Sequence, residues 1–507
     1  MNCSINDKIE LINHYLLDKD FESLLASSEE LLKYAPNNTE ILGYKYEALL
    51  GLNLHLQDIG FLRKICWYSG ICARYFDSLT EAYWLIKEKK NALCSLLFAI
   101  SIEDTPSRRS MLKRLLDDIG VASVKLFFLS SDRIGHLTCE PDAWLRKYQH
   151  EGTCDNVLRI FMCAGKVCND KLVTLLSRKL TILKSDFFHR FHLSRRSLLA
   201  DEFYDNMPYD LASGDRLEQT IDSKINSLCS VYNHFPKVFY LEDKDFLEVQ
   251  GELQTLGLSL NEPFVCLHVR DSAYLDTLYP ELDVSYHRYR DASIKFYEEG
   301  IKYLLEQGYQ VVRIGKETNQ HLNRSLAGYF DLCGKITDGL ELVLIDQCRF
   351  FWGTSSGPFG TAAMFDIPAL LVNCVPAINC YSRNGRTINK PLKRNGQPVS
   401  FSSIIDGGTL SPDHFTKILE CYNADELAKY GLCYEENSAQ EILDALIEFV
   451  ELVESGKSSF EKFGPLQQCF LSNIPECGSF RGRTIPTESF LRKYKQSYGG
   501  FVEEGNR

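Results

Sequence analysis

Two short stretches of the chain combine residue types suited to holding an anion. Residues 263–271 read Pro-Phe-Val-Cys-Leu-His-Val-Arg-Asp, an apolar run typical of a buried parallel strand that ends in a basic residue and an acid. Residues 348–360 repeat this form, since 350–352 predict a strand and 353–357 a turn of small residues that opens a helix from about 359 to 365. Free backbone N–H groups and the helix dipole favour an anion at such a turn. The two stretches therefore predict a phosphate site.

The elements around these stretches predict a doubly wound parallel sheet. A helix-period segment at 293–307 precedes a predicted strand at 310–315, and another strand is predicted at 368–373. Alternating strands and helices of this kind place a ligand at the carboxyl ends of the strands. Taken singly, His268 could be a core histidine and the turn a simple connection, but two such motifs in one sheet favour a site.

An earlier strand is predicted at 121–129, and a second group of candidate site residues comes after it. A loop with Arg133, Gly135 and His136 follows it, and Glu140 and Asp142 come at helix-start positions. Carboxylates at a helix start also suit the helix dipole without any function. His136, Glu140 and Asp142 are all candidates for a general base, and the sequence does not choose among them.

The ordered series of motifs resembles the fucosyltransferase-like superfamily of GT-B glycosyltransferases, and more closely a group of bacterial glycosyltransferases of unassigned substrate. The resemblance covers about residues 124–494, and its motifs are Arg133-Ile-Gly-His-Leu, Trp144-Leu-Arg, His268-Val-Arg-Asp-Ser-Ala-Tyr, His287-Arg-Tyr-Arg-Asp, Val312-Arg-Ile-Gly, Gly353-Thr-Ser-Ser-Gly and Leu371-Val-Asn with Pro376. It implies a GT-B-like pair of Rossmann-like α/β domains. The second domain would hold a nucleotide-sugar donor and the first an acceptor.

The resemblance also implies roles for particular residues. Arg270 is expected to stabilise the departing diphosphate, because its planar guanidinium can bond two phosphate oxygens at once. His136, Glu140 and Arg270 are the catalytic candidates. The donor-binding candidates are His268, Asp271, Tyr274, Arg290, Glu317, Thr354, Ser355, Ser356, Gly357 and Asn373. The acceptor-side candidates are Arg133, Gly135 and Asp142. GT-B enzymes mostly act without a bound metal, so we expect no metal and no cofactor besides the donor substrate.

The first hundred residues lie outside this resemblance and predict helical repeats. Six helices in three pairs are expected between 6 and 102, and Tyr15-Leu-Leu recurs as Tyr83-Trp-Leu, 68 residues later and twice the 34-residue period of tetratricopeptide repeats. This all-α tetratricopeptide-like domain either docks an acceptor or partner, or only covers the flank of the enzyme.

Length and composition limit the class of protein, its compartment and its partners. The 507 residues suggest several domains, and 45% hydrophobic with 24% charged residues is typical of a soluble globular protein. The 18 cysteines are scattered through apolar segments, which favours buried thiols in a reducing cytoplasm. A net charge of −12 argues against nucleic acid, although residues 189–196 form a local basic stretch. No apolar run predicts a transmembrane segment, and the first residues lack the pattern of a signal peptide.

These observations predict four regions: helical repeats at 1–118, an acceptor domain at 119–258, a donor domain at 259–455, and a tail at 456–507 that crosses back to the acceptor domain. We expect a linker at 250–263 and a helical region that can be removed without unfolding the rest. The basic loop at 376–396 is either a mobile loop near the site or a solvated surface loop, and we favour the solvated loop. The function predicted is transfer of a sugar from a nucleotide-diphosphate donor to a saccharide or protein hydroxyl, in bacterial surface glycan or protein glycosylation. The alternatives are a non-catalytic nucleotide-binding or partner-binding scaffold on a decayed transferase, and another phosphate-handling enzyme.

Overall fold

The computed structural model describes residues 5–69, 72–151, 156–185, 231–232, 234–322, 326–375, 382–401, 409–411, 414–417, 424–456, 460–473 and 485–499. The chain divides into two compact units. The first comprises Met1–Leu129, Cys154–Val167 and Lys179–Asp205, and the second comprises Ser130–Thr153, Cys168–Arg178 and Asn206–Arg507. The domain boundaries expected from the sequence stay predictions. Among the described residues, no helix is both long enough and apolar enough to cross a membrane.

The first unit begins with seven helices: α1 (Ile5–Leu17), α2 (Phe21–Leu32), α3 (Thr39–Gly51), α4 (Ile59–Ser69), α5 (Ala73–Leu85), α6 (Lys89–Ile102) and α7 (Pro106–Ile119). Helices α1, α3 and α5 start at residues 5, 39 and 73 and end at 17, 51 and 85, a spacing of 34 residues throughout. The turns that follow them contain Lys19, Asn53 and Lys87, at φ of 58°, 57° and 65°, again 34 residues apart. This recurrence confirms the predicted repeat period.

A three-stranded parallel sheet completes the first unit, with strands β1 (Ser123–Phe128), β2 (Val157–Ala164) and β3 (Thr181–Ser185) in the order β1-β2-β3. Val124, Leu126, Ile160 and Met162 of this sheet belong to the same buried core as the residues of α3 to α7. The helices therefore bury one face of the sheet. This packing argues against the expectation that the helical region can be removed without unfolding the rest of the chain.

The second unit contains helices α8 (Ile134–Glu151), α9 (Asp170–Ser177), α10 (Asp243–Leu256), α11 (Ala273–Leu278), α12 (Glu298–Glu306), α13 (Asp338–Gln347), α14 (Gly357–Met364), α15 (Ala424–Lys429), α16 (Ala439–Glu454), α17 (Pro465–Asn473), α18 (Glu488–Lys493) and α19 (Lys495–Tyr498), with 3-10 helices at Ser285–Arg290 and Ile294–Tyr297. Its strands are β4 (Phe264–His268), β5 (Gln310–Arg313), β6 (Tyr329–Asp331), β7 (Phe350–Gly353), β8 (Ala369–Cys374), β9 (Gly385–Asn389), β10 (Leu392–Arg394), β11 (Gln397–Pro398), β12 (Thr409–Ser411), β13 (His414–Lys417), β14 (Leu432–Tyr434) and β15 (Ile485–Pro486).

Seven of these strands form a parallel sheet in the order β15-β9-β8-β7-β4-β5-β6. From β4 to β9 the order is that of a dinucleotide-binding doubly wound sheet, in which the chain builds outward in one direction and then in the other. The apolar residues of β4, β7 and β8 pack against α12 and α16 in one large core. Helix α16 begins with a capping box between Ser438 and Glu441. The expected fold class, α/β units with parallel sheets after an all-α helical region, is confirmed.

The predicted basic loop at 376–396 differs from the structure over its described part. Residues 385–389 form the fully buried strand β9, and residues 376–381 lie outside the described residues. Arg386 can be buried here because its guanidinium donates to the carbonyls of Phe460 and Lys462, at 3.3 and 3.4 Å, and lies over the rings of Phe460 and Phe463. The described part of the predicted loop therefore contains strand β9 of the large sheet and the short strand β10.

The predicted linker and tail also differ from expectation. Gly251 lies inside α10, and the helix ends only at Gly257, whose φ of 66° suits a glycine C-cap. In the tail, β15 pairs with β9, and Phe490 and Tyr498 belong to the core of the seven-stranded sheet. The described part of the tail thus packs on the sheet expected to bind the donor.

Candidate active site

The strand order of the large sheet reverses between β4 and β7, which are neighbours in its middle. In sheets of this kind, ligands bind at the carboxyl ends of the strands where the order reverses. His268 and Gly353, the last residues of β4 and β7, are paired in register. A Cβ on Gly353 would overlap the backbone O of His268, so only glycine fits this position. The loops that leave the two strands therefore start side by side.

Arg270 lies two residues past β4, and hydrogen bonds hold its backbone on both sides. Its N–H donates to Thr354 Oγ1 at 3.1 Å, and its carbonyl accepts from Ala292 N–H at 2.9 Å. Its guanidinium donates to the Asp291 carboxylate through Nη1. Burial, followed by the charge of Arg290, lowers the pKa of Arg270 to about 10. A largely desolvated cation is thus held at the carboxyl end of a central strand.

Two further basic side chains lie near this pair, Arg290 close to Arg270 and Lys390 at Asp291. Arg290 Nη2 donates to Ser355 O at 2.7 Å, and Arg290 Nε is buried without a hydrogen-bond partner among the described residues. Lys390 Nζ donates to Asp291 O at 2.6 Å, and burial lowers the pKa of this lysine. Burial raises the pKa of Asp291 to about 6, although Arg270 and Lys390 oppose this shift. Three basic side chains thus lie close together here, with the carboxylates of Asp271 and Glu436 also nearby.

His287 and Arg133 connect this cluster to the start of α8. Burial, and then the charges of Arg290, Arg270 and Arg133, lower the pKa of His287 to about 4, so this imidazole stays neutral near pH 7. Arg133 Nε lies 3.6 Å from Asp132 Oδ2. The first turn of α8 therefore lies within electrostatic reach of the arginine cluster.

Helices α8 and α14 pack side by side with both amino termini at the same end. At that end a Cβ on Gly357 would lie 2.6 Å from Ile134 Cγ2, and a Cβ on Gly135 would lie 3.1 Å from Gly357 Cα. At the other end, Arg146 donates to the carbonyls of the last two residues of α14, at 3.2 and 2.7 Å. Each helix amino terminus carries roughly half a positive charge. Two such termini therefore meet beside the turn that follows β7.

This packing gives Gly357 a structural role. The sequence made Gly357 a donor-binding candidate, which stays a prediction, and Gly357 is not among the described glycines with positive φ. Its missing side chain makes room for α8. Ser356, the N-cap of α14, makes no side-chain cap, because its Oγ donates to Thr354 O at 3.1 Å. The first N–H groups of α14 are therefore not satisfied by the Ser356 side chain.

His136 and Glu140, both candidate bases from the sequence, form a pair on α8. His136 Nδ1 lies 2.7 Å from Glu140 Oε1, and the two side chains are 24% and 8% exposed. An ionised Glu140 accepts from Nδ1–H of the neutral imidazole, which leaves a lone pair on Nε2 that can take up a proton. Because His136 follows Gly135, this pair lies next to the amino terminus of α14.

Asp142, the third candidate base, is fully buried. Its Oδ2 accepts from Arg146 Nε at 3.0 Å, and Arg146 Nη1 also donates to Asp366 at 2.9 Å. Burial raises the pKa of Asp142 to about 6, against the effect of Arg146. The structure thus gives Asp142 a packing role between α8 and α14 and does not bring it into the arginine cluster.

Asp271 and Tyr274 hold neighbouring loops in place. The Asp271 carboxylate accepts from Thr318 Oγ1 at 2.7 Å, from Asn319 N–H at 2.8 Å and from Ala273 N–H at 3.1 Å. Tyr274 donates through its hydroxyl to Asp132 O at 2.9 Å. These bonds shape the loops around the arginine cluster, and direct contacts of either side chain with a donor stay predictions.

The hydrogen bonds of Asn373 and His268, two other expected donor residues, go to groups other than Arg270 and Arg290. Asn373 exchanges two hydrogen bonds of 2.7 Å with Asn437, one in each direction. His268 Nδ1 lies 3.0 Å from Ile314 O, and burial lowers the pKa of His268 to about 4, so it is neutral. Glu317 is exposed in the loop after β5. The structure does not bring Asn373 or Glu317 together with Arg270.

Sequence reasoning missed Asp291, His287 and Lys390. The first two stand in the His287-Arg-Tyr-Arg-Asp motif, from which only Arg290 was selected, because the others depend on contacts that a motif does not show. Lys390 was expected only within the basic loop at 376–396. Thr387 and Ile388 favour a strand, so the sequence could have indicated the buried strand β9, which ends at Asn389 just before Lys390.

No group of three or more His, Cys, Asp or Glu side chains suited to a metal is present within the described ranges. The chain contains two Asp-x-Asp triplets, at residues 18–20 and 243–245. In the first, Asp20 caps α2, and in the second, Asp245 accepts from Arg178 Nη2 at 2.6 Å. Both triplets therefore have local structural partners.

No family model and no curated protein matches the chain. Over 22% of its length it is similar to the solved structure of MamA, with 23% identity and a TM-score of 0.21, and it spans 62% of that protein. Over 52% of its length it is similar to E. coli ADP-heptose lipopolysaccharide heptosyltransferase II, with 15% identity, 90% of that chain covered and a TM-score of 0.36. It is also similar to the glycosyl transferase family 9 protein of Veillonella parvula DSM 2008, with 9% identity, 66% and 97% of the two chains covered and a TM-score of 0.40. The similar structures thus include glycosyltransferases, at scores that do not assign a function to this chain.

Proposed function

We propose that this chain is a glycosyltransferase that moves a sugar from a nucleoside-diphosphate donor to a hydroxyl group of a saccharide or protein acceptor. The observation that carries the proposal is the convergence of Arg270 and Arg290 with the amino termini of α8 and α14, where the strand order of the sheet reverses. A doubly wound sheet binds ligands at this place. The charge gathered there is positive, so the ligand group that fits is an anion.

The number of donors favours a diphosphate over a single carboxylate. Arg270 donates to the Asp291 carboxylate, Lys390 donates to the Asp291 carbonyl, and Arg290 lies near Arg270 and donates to Ser355 O. The carboxylates of Asp291, Asp271 and Glu436 offset part of this positive charge, and the two helix termini add roughly one further positive charge between them. Guanidinium groups bind phosphate oxygens in pairs, and backbone N–H groups at helix termini bind them singly. A diphosphate carries enough charge and enough acceptor oxygens to use all of these donors.

The same groups would act on the reaction itself. In a direct displacement, the acceptor oxygen forms a bond to the anomeric carbon while the bond from that carbon to the diphosphate oxygen breaks. The electron pair of that bond leaves with the diphosphate, and Arg270 and Arg290 stabilise the added charge without reorganising. Because the arginines and helix termini supply positive charge, we propose that transfer does not depend on a metal.

His136 is the proposed general base. The acceptor hydroxyl would give its proton to Nε2 of His136, and Glu140 would stabilise the imidazolium that forms. Glu140 also fixes the orientation of the ring, as a carboxylate does in other histidine bases. The position of this pair at the start of α8 brings it beside the proposed diphosphate site.

A thermal shift screen of nucleoside diphosphates and nucleotide sugars tests the proposal. At about a hundred times its dissociation constant, a ligand should add nearly 3 kcal/mol to the free energy of unfolding. We expect one base to give a shift and Arg270→Lys to abolish most of it. Arg288→Lys is the matched control, because Arg288 lies in the same segment but is exposed. If no nucleotide shifts the wild-type protein, or if the Arg270 and Arg288 variants respond alike, the proposed donor site is wrong.

A further inference from the structure

We propose that Asp291 is a positioning residue that aims the guanidinium of Arg270 at the donor diphosphate. This inference rests on the proposed function, because it concerns the same anion site. Asp291 was not among the residues selected from the sequence, and its contacts in the structure are what single it out.

Asp291 occupies one end of the Arg270 guanidinium and leaves the other end unused. Nη1 of Arg270 donates to the Asp291 carboxylate and lies 3.4 Å from His287 O. Within the described chain, Nε and Nη2 of Arg270 make no side-chain hydrogen bond, and the side chain is 11% exposed. Nε and Nη2 form an edge that can bind two oxygens of one phosphate group. The Asp291 carboxylate thus fixes the Nη1 end of the guanidinium, which the diphosphate does not need.

Hydrogen bonds fix the backbone of Arg270, so only its side chain remains to be oriented. Thr354 Oγ1 accepts from its N–H, and Ala292, the residue after Asp291, donates to its carbonyl. Asp291 is itself held, because its carbonyl accepts from Lys390 and its N–H donates to Arg288 O at 3.0 Å. Both ends of the contact between Arg270 and Asp291 are therefore fixed before a ligand arrives, and preorganised groups bind at a lower entropic cost.

A competing role for Asp291 predicts the opposite result. A carboxylate beside an arginine could act as a stand-in for the ligand, and its removal would then strengthen anion binding. A stand-in carboxylate would have to occupy the edge of Arg270 that the phosphate uses. Asp291 contacts only Nη1 and leaves the edge formed by Nε and Nη2 open. The geometry therefore points to positioning.

A double-mutant cycle on the full chain tests this role, with inorganic pyrophosphate as the probe and titration calorimetry as the measurement. Asp291→Ala removes both the charge and the acceptor, whereas Asp291→Asn keeps an acceptor oxygen of similar size. We expect Asp291→Ala to weaken pyrophosphate binding about tenfold or more, and Asp291→Asn to restore part of that loss. In an Arg270→Lys background, Asp291→Ala should add little further loss, because the residue that it positions is already gone.

The possible outcomes separate the two proposals. If wild-type protein does not bind pyrophosphate, the proposed anion site is wrong, and the role of Asp291 is refuted with it. If Arg270→Lys weakens binding but Asp291→Ala leaves it unchanged or makes it tighter, only the positioning role is refuted. Losses that simply add in the double variant would also refute it, because they would show that Asp291 acts independently of Arg270. Far-ultraviolet circular dichroism of each variant identifies any loss of fold, and a misfolded Asp291→Ala leaves Asp291→Asn to decide.

Discussion

Replacing Gly357 with alanine should loosen the contact between α8 and α14. The added Cβ would lie 2.6 Å from Ile134 Cγ2 and 3.2 Å from Gly135 N, whereas carbon atoms in contact lie about 3.5 to 4.0 Å apart. The Ile134 side chain or one of the two helices must therefore shift by about 1 Å. Overpacking of this kind costs about 1 to 3 kcal/mol, while alanine gains up to about 1 kcal/mol over glycine in a helix. We expect a net loss of about 1 to 2 kcal/mol in the free energy of unfolding.

Urea unfolding gives this loss, and hydrogen exchange of residues 134–151 and 357–364 shows whether it is local to the two helices. The matched control is Gly251→Ala, because Gly251 lies inside α10 and a Cβ there would meet nothing within 4 Å. That variant should gain about 0.5 to 1 kcal/mol. If Gly357→Ala is as stable as Gly251→Ala, the packing role inferred for Gly357 is wrong.

Four other variants or conditions probe contacts described above. Arg146→Lys should cost about 3 to 5 kcal/mol in urea unfolding, because lysine cannot satisfy the buried Asp142 carboxylate, the partly exposed Asp366 carboxylate and the three carbonyls that the guanidinium reaches. A loss below about 1 kcal/mol would contradict this. His136→Asn should lower kcat by a factor of about 100 or more and leave pyrophosphate binding nearly unchanged, as kinetics and calorimetry can show. His268 has a folded pKa of about 4 against about 6.5 unfolded, so the unfolded chain binds more protons between these values. As the pH drops from 6.5 to 4, the unfolding free energy of the wild type should therefore fall on the order of 3 kcal/mol further than that of His268→Gln. If the two proteins lose stability in parallel over this pH range, the prediction is refuted. A chain starting at residue 119 should aggregate on expression, because the sheet face that packs on the helices becomes exposed; a soluble, cooperatively folding product would restore the expectation of a separable helical region.

The sequence was informative where a local pattern determines the structure. The 34-residue repeat and the apolar strands around Val265 and Phe351 follow from periodicity and composition, and the structure has them in the expected places. The carboxyl ends of β4 and β7 were predicted to meet, because parallel strands bring their ends to one edge of the sheet. The pairing of His268 with Gly353 agrees with that prediction.

The sequence was less informative where a side chain's role depends on contacts distant in the chain. Asp142 looked like a candidate base, but Arg146 and its partners 217 or more residues away in the chain enclose it. The sequence could not show that the missing side chain of Gly357 makes room for a helix that starts at Ile134. Arg386 looked solvated because a charged side chain is rarely buried, and only the rings and carbonyls around it make burial possible.

The release of free nucleoside diphosphate from nucleotide sugars tests the central claim most directly. The full chain is incubated with a panel of nucleotide sugars, with a chelator present, and the nucleoside diphosphate that forms is quantified by chromatography. We predict release from one donor class, about tenfold or more slower in Arg270→Lys and unchanged in the exposed control Arg288→Lys. Absence of release from every donor, together with absence of nucleotide binding, would contradict the assignment of this site to sugar transfer.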